Sequence, residues 1–338
     1  MTRIKTLLTL ACSSLLMSCY AQLPIDSTAE KMLVYQLGNG GWPKQLEDKS
    51  VVNYGATLTP ELLSKVQATT DKHATFDNKA TSREVVYLIG AYKKTQNKAY
   101  LKAVEKGLDY ILSAQNDNGG WPQYYPDQSL YRSEITFNDD AMINVLNILQ
   151  DIATKKNDFE VVNPEYIKKA EQAVAKGIDC ILKTQVKQNA QLAIWGAQYD
   201  KDSLLPAKAR NFEPASLATS ESAGIVRFLM RIQNPSPAVK TAITSALKWF
   251  DTYKIVGYRF DREKGKTAAL IADQNSMAWA RFYDLNKNVP IFGDRDNTIK
   301  LKLEELSPER INGYAWYGNW GQKLIEKEFP KWLTTNGK

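Results

Sequence analysis

Apolar residues recur at helical spacing through most of the chain. Val104, Leu108, Ile111 and Leu112 form one stripe, Val145, Ile148, Leu149 and Ile152 a second, and Val174, Ile178, Ile181 and Leu182 a third. A return every three or four residues keeps each set on one helix face, so each predicts an amphipathic helix with a single buried side. Four of the expected helices have a legible start. Thr59-Pro60, Asn163-Pro164, Ser236-Pro237 and Ser307-Pro308 each pair a capping side chain with proline, whose missing N–H is harmless in the first helical turn. Alternation of apolar and polar residues is scarce, and only Tyr258 to Phe260 and Ala268 to Ala272 read as short strands. The fold class is mainly α.

A repeat orders the helices. Tyr35-Gln36 leads into Asn39-Gly-Gly-Trp-Pro-Lys44, Ala114-Gln115 into Asn118-Gly-Gly-Trp-Pro-Gln123, and a weaker third copy runs from Thr184-Gln185 to Trp195-Gly196. The glutamines stand 79 and 70 positions apart. That is room for a helical hairpin plus a loop, so successive hairpins are expected to pack around a common axis as an (α/α) toroid. Paired glycines permit a turn with positive φ, and the Trp-Pro pair closes the loop on the next helix. Whether the tryptophans plug those loops or stack on sugar stays open on sequence.

At the amino terminus, Arg3 and Lys5 precede an apolar run from Leu7 to Met17 that ends in Ser18-Cys19. The run is too short to span a bilayer and reads as a signal peptide over residues 1–21. Leu-Met-Ser-Cys resembles a lipobox with Cys19 as the lipidated residue, while cleavage after Ala21 fits an ordinary leader. The exported chain is expected in the periplasm or anchored to the outer membrane. Cys12 and Cys19 belong to the leader, which leaves Cys180 as the remaining thiol and no internal disulfide. Its neighbours Ile178, Ile181 and Leu182 place it on an apolar face, as a buried structural cysteine. The formal charge of +7 falls to +5 when Arg3 and Lys5 leave. This mild excess is compatible with nucleic acid, anionic membrane, acidic polysaccharide, or no partner at all.

Polar residues that the helical pattern does not require fall in two clusters. Ile135-Thr-Phe-Asn-Asp-Asp-Ala-Met142 puts Asn138, Asp139 and Asp140 at a helix start. Ala74-Thr-Phe-Asp-Asn-Lys-Ala-Thr81 has the same layout, with Asp77 before a helix beginning near Ser82. Such carboxylates can simply cap a helix and meet its dipole. Converging on one rim, they would instead offer oxygen ligands, which suit Ca²⁺. His73 is the only histidine, too few imidazoles for a zinc site or for serine–histidine chemistry. The second cluster is cationic. Arg210, Arg281 and Arg295 stand beside aromatic or acidic neighbours. They can grip carboxylates bidentately, or else pair with Glu213, Asp284 and Asp294 on the surface.

Asn-Gly-Gly-Trp-Pro twice, Thr-Phe-Asp-Asn, Ile-Thr-Phe-Asn-Asp-Asp-Ala-Met, Gly-Ile-Val-Arg-Phe-Leu-Met and Asn-Gly-Tyr-Ala-Trp-Tyr-Gly are spread over residues 30–322. Together they make the chain resemble the family 10 polysaccharide lyases that act on pectate. The resemblance implies an (α/α) toroid in one catalytic domain over residues 22–338, polygalacturonate as substrate, essential Ca²⁺, and β-elimination to unsaturated oligogalacturonides. It implies Arg210 as the base, Asp139 with Asp140 at the metal, and Asp77 as a further carboxylate at the metal and substrate site. Arg281, Arg295 and Asn138 are the implied substrate contacts. No nucleic-acid partner and no membrane span are expected, with a monomer as the default. Phe212 stands where tyrosine is common in the family and Gly196 where cysteine is frequent, and neither position touches the implied chemistry.

That chemistry is coherent from below. Elimination removes the C5 proton next to a uronate carboxylate, whose charge must be neutralised before the proton becomes acidic. A calcium ion bridging Asp139 and the uronate, with arginine beside it, would stabilise the enolate-like charge. Arginine as base conflicts with its ordinary pKa, above about 12. Two other readings are compatible with the residues. One is an α/α-toroid glycoside hydrolase with Asp77 and one of Asp139 and Asp140 as acid and base. The other is a non-catalytic surface lipoprotein that binds carbohydrate.

Overall fold

The structure is a computed structural model describing residues 24–336, and the leader with Cys12 and Cys19 lies outside them. Ten α-helices occur among the described residues: α1 (Ser27–Tyr35), α2 (Pro60–Ala68), α3 (Ser82–Thr95), α4 (Lys98–Ser113), α5 (Ala141–Ala153), α6 (Glu165–Thr184), α7 (Thr219–Met230), α8 (Pro237–Thr252), α9 (Pro308–Gly313) and α10 (Phe329–Asn336). The proline starts cap as expected at three sites. Thr59 and Ser236 accept from the N–H groups of Leu62 and Val239, and Asn163 Oδ1 accepts from Glu165 N at 3.1 Å. Ser307 differs. It opens α9 without capping it, because its hydroxyl donates to Asp294 Oδ1 at 2.9 Å and its N–H to Asp294 Oδ2 at 2.6 Å.

Three hairpins follow one another: α3 with α4, α5 with α6, and α7 with α8. Helix α3 packs on α5 and α5 on α7, while α4 packs on α6 and α6 on α8, so the hairpins build the inner and outer layers of an α/α toroid. The repeated glutamine joins one hairpin to the next in every copy. Gln36 Nε2 donates to Gly40 O and Ala103 O, Gln115 Nε2 to Gly119 O and Ala173 O, and Gln185 Nε2 to Ala193 O and Ala242 O. Each amide thus closes its own loop and fastens it to α4, α6 or α8. The tryptophans settle as plugs. Trp42, Trp121 and Trp195 are fully buried, and their indoles donate to Met32 O, Ile111 O and Ile181 O at 2.7–2.8 Å. Trp279 does the same with Phe250 O at 2.9 Å, a fourth copy without the sequence motif. The loop glycines sit where a side chain cannot. At Gly40 and Gly119 φ is +92° and +90°, and a Cβ would lie about 2 Å from the carbonyl oxygens of Lys106 and Lys176.

The two expected strands form a hairpin, Ile255–Asp261 against Ala269–Ala280, with Tyr258 opposite Ala272 and Phe260 opposite Leu270. The second strand continues past the alternating stretch because Tyr317 and Gly318 pair with Ala280 and Trp279 on its far edge. Its end therefore delivers Arg281 to the toroid. Cys180 is buried and unpaired, and burial pushes its thiol up to about 12, which leaves it inert. No described helix is long and apolar enough to cross a membrane.

Candidate active site

Two turns of nearly identical backbone precede α3 and α5. Thr75 N donates to Trp42 O at 3.2 Å, and Thr136 N donates to Trp121 O at 3.0 Å, so each turn hangs from a repeat loop. Phe76 and Phe137 anchor the turns in the core. The next residues fold into the single helical turns Asp77–Lys79 and Asn138–Asp140. Asn78 (φ 50°, ψ 34°) and Asp139 (φ 52°, ψ 29°) are left-handed, and so are Lys79 and Asp140, at φ 64° and 57°. Asparagine and aspartate tolerate this region, whereas lysine is strained there, a cost the surrounding packing sustains at functional turns. The first turn touches the second, and the second touches α7. Three inner-helix starts, with their favourable field for anions, thus meet at one end of the toroid.

A cavity of about 100 Å³ opens between them, lined by Lys44, Asp77, Gln123, Asn138, Asp139, Gln198, Arg210 and Glu213 among others. It continues past Tyr131 and Arg210 into a groove of about 730 Å³ that includes Lys208, Phe212 and Arg295. Asp77 is buried in an ion pair with Lys44. Asp139 is 43 % exposed and lies 3.9 Å from Arg281 Nη2. Burial pushes its carboxyl above the ordinary range, with Arg281 opposing. Asn138 bridges the two, donating to Asp139 Oδ2 at 3.1 Å and accepting from Arg281 Nη2 at 3.5 Å.

The arginines are held from behind. Arg281 is 11 % exposed and pairs at 2.5 Å with Glu221, a carboxylate 1 % exposed in the first turn of α7. Burial pushes Glu221 up despite the arginine. The Tyr314 ring lies 5.1 Å beneath the Arg281 guanidinium. Arg210 is forked on Glu213, its Nε on Oε2 at 2.7 Å and its Nη2 on Oε1, where Tyr314 OH also donates at 2.9 Å. Those hydrogen bonds raise Arg210 further above the arginine range. Burial works to push Glu213 up, but Arg210 and Tyr314 together hold it below the ordinary carboxyl value.

All residues singled out by sequence except Asp140 and Arg295 come together at the inner end of the site. Asp140 turns toward α7: a Cβ on Gly224 would lie 2.1 Å from its Oδ1, and burial raises its pKa while the Arg227 charge opposes. Arg295 is 62 % exposed, pairs with Glu309 at 2.8 Å, and lies in the outer groove over Phe212. The surface pairing expected for Arg210 with Glu213 is present, but Arg281 does not pair with Asp284, which instead accepts from the N–H groups of Asn286 and Lys287. Arg295 takes only a backbone contact to Asp294.

Several site residues were missed in the sequence. Lys44 and Gln123 occupy the same repeat position, after Trp-Pro, and Gln198 follows the third tryptophan, so the repeat itself marked them. Glu221 carried no such signal and Tyr314 only its place in Asn-Gly-Tyr-Ala-Trp-Tyr-Gly, and neither role could be read because their partners lie 60 and 101 residues away. Gln198 Oε1 is buried on the cavity wall without a hydrogen-bond partner.

Among the described residues, no group of three or more His, Cys, Asp or Glu converges to hold a metal by itself. Of the carboxylates on the cavity wall, Asp139 is the exposed one, while Asp77 and Glu213 are buried in ion pairs with Lys44 and Arg210; Gln198, whose Oε1 is buried without a partner, lies on the same wall. Ca²⁺ takes six to eight oxygens, so these residues fit a partial site whose remaining ligands come from substrate and water.

Fold and site define a class: an α/α toroid with a cavity of paired cations and one free carboxylate at its inner-helix starts. A family profile described as pectic acid lyase matches residues 36–325, and the chain belongs to that family. A solved structure of a family 10 polysaccharide lyase from Cellvibrio cellulosa is 34% identical, with a TM-score of 0.82 and 92% of each chain covered. An aspartate-to-alanine variant of that lyase in complex with trigalacturonic acid matches at the same identity and TM-score, over 92% of this chain and 93% of its own. Among curated proteins none matches.

Proposed function

We propose that the protein is a calcium-dependent pectate lyase that cuts polygalacturonate by β-elimination and releases unsaturated oligogalacturonides. The observation that carries this reading is Asp139, an exposed carboxylate on a cavity that also holds Lys44 and Arg210 and is backed by Arg281. The trigalacturonic acid bound to the Cellvibrio relative supports the substrate class. Asp139, with Gln198 as a second oxygen donor, would hold Ca²⁺. When bound, the ion neutralises the uronate carboxylate, acidifies the C5–H and lowers the charge cost of the enolate-like state.

The remaining steps belong to side chains. Lys44, Arg281 and, in the outer groove, Arg295 attract and orient the uronates. Arg210 takes the C5 proton, the C4–O bond breaks with its electron pair on the leaving oxygen, that oxygen takes a proton from water, a C4–C5 double bond forms, and the proton held by Glu213 neutralises the hydroxide left behind. A guanidinium must first yield a proton to act this way, and Glu213, in contact with both Nε and Nη2, is the adjacent acceptor. A uronate arriving beside Glu213 favours its protonated form, which is the physical route by which substrate would arm Arg210. Export through the leader at residues 1–21, to the periplasm or the outer membrane, completes the proposal.

Ultraviolet absorbance during incubation with polygalacturonate, with Ca²⁺ and with a chelator, tests it. A calcium-dependent rise is expected. Reducing sugar without absorbance would mean hydrolysis, and binding without product would mean a carbohydrate-binding protein.

A further inference from the structure

A second cavity, of about 660 Å³, shares no lining residue with the catalytic one. Its walls come from three separate stretches: the hairpin Lys187–Leu192, the outer helix α8, and the loop at Asn286 and Asn288. The lining is rich in amides and hydroxyls, with Lys248 as its only charged side chain and no aspartate or glutamate. Among the described residues Lys248 has no ion-pair partner, and it is exposed. The volume is that of an ordinary ligand site, and the polar lining suits a hydroxyl-rich ligand.

The floor is built and oriented. Trp249 Nε1 donates to Asn288 Oδ1 at 2.8 Å, Asn288 Nδ2 donates to Gln188 Oε1 at 2.9 Å, and Gln188 Nε2 donates back to Asn288 Oδ1 at 3.1 Å and to Leu285 O at 2.6 Å. This reciprocal amide pair is fixed at both ends, so neither amide can flip without losing bonds. The Tyr253 ring, partly exposed, lies against Trp249 with centroids 4.8 Å apart. The hairpin wall is held in a costly shape. Asn189 and Ala190 form its tip at φ 48° and 65°, a left-handed pair in which alanine is disfavoured. Amides both donate and accept, as sugar hydroxyls do, an aromatic face suits a pyranose, and one free ammonium without a competing carboxylate suits a uronate.

We propose that this cavity is a second, non-catalytic binding site for an acidic oligosaccharide, with Lys248 on a uronate carboxylate and Tyr253 under a sugar ring. It depends on the catalytic reading only for the choice of probe. Calorimetric titration of the full chain carrying Arg210→Ala with trigalacturonate is expected to show two equivalents bound. Adding Lys248→Glu, an exposed change, should remove one of them, with a loss of at least tenfold in affinity. Lys248→Glu alone should leave elimination of a trimeric substrate unchanged, which also reports that the fold is intact. Titration with neutral galactotriose should show no second site. Stoichiometry and affinity unaffected by Lys248→Glu, or equal binding of the acidic and neutral trimers, would overturn the proposal. Failure of Arg210→Ala to abolish elimination would instead count against the catalytic assignment, and the comparison with Lys248→Glu, repeated with a chelator to halt turnover, would still decide this one.

Discussion

The turns Asp77–Lys79 and Asn138–Asp140 have the same backbone and the same anchors, yet they carry opposite charge economies. In the first, the carboxylate is the leading residue and Lys44 seals it. In the second, an amide leads, the carboxylate moves one place on to Asp139, and the repeat position of Lys44 holds the neutral Gln123. One turn is thereby neutralised and the other left with an open carboxylate whose pKa burial has raised. The same turn has been differentiated by its side chains and by the residue after Trp-Pro, while φ and ψ of its central residue, 50° and 34° at Asn78, 52° and 29° at Asp139, stay nearly the same.

Substitutions can break that contrast. The largest effect is expected at Arg210, between the turns and the groove: Arg210→Ala should lower turnover on the order of 10²–10⁴-fold with binding nearly kept, as loss of a positioned base does, checked by single-turnover kinetics. Next comes Lys44→Gln, which gives the first loop the residue of the second. Freed from its ion pair, Asp77 should add an oxygen ligand, so the calcium concentration for half-maximal rate should fall several-fold while KM for polygalacturonate rises. Asp77→Asn should act mainly on stability. It leaves Lys44, 26 % exposed, without its partner, at a cost of about 1–3 kcal/mol in chemical denaturation.

The smallest effect has the opposite sign. Because the folded-state pKa of Asp139 is raised, the stability linked to it is present below the unfolded carboxyl value and lost as pH rises through the folded one. Asp139→Asn should therefore stabilise the fold at neutral pH and be neutral in acid. The gain should stay under about 1 kcal/mol, since solvent screens a carboxylate 43 % exposed. Melting curves at two pH values check both sign and size.

Much of this is legible in the sequence. Stripes such as Val145, Ile148, Leu149 and Ile152 mark helices because burial selects one face, and the Gln–Trp repeat marks the toroid because the same two hydrogen bonds recur in each copy. Asp77 and Asp139 were visible as carboxylates at helix starts. What escaped were groups whose role is set by distant partners, such as Glu221 behind Arg281 and Tyr314 on Glu213. The turn of Asp140 toward α7 escaped too, because adjacent aspartates look alike until φ and the neighbouring Gly224 decide their directions. The length of the strand ending at Ala280 depended likewise on its pairing with Tyr317 and Gly318.

Calcium titrations of the elimination rate test most directly the proposed role of the second turn's open carboxylate as a calcium ligand. With wild type, Asp139→Asn and Asp140→Asn side by side, Asp139→Asn should raise the half-saturating calcium concentration at least about tenfold, equivalent to about 1.4 kcal/mol. Asp140→Asn should stay close to wild type. Equal calcium curves for wild type and Asp139→Asn, or a shift confined to Asp140→Asn, would rule out Asp139 as the calcium ligand.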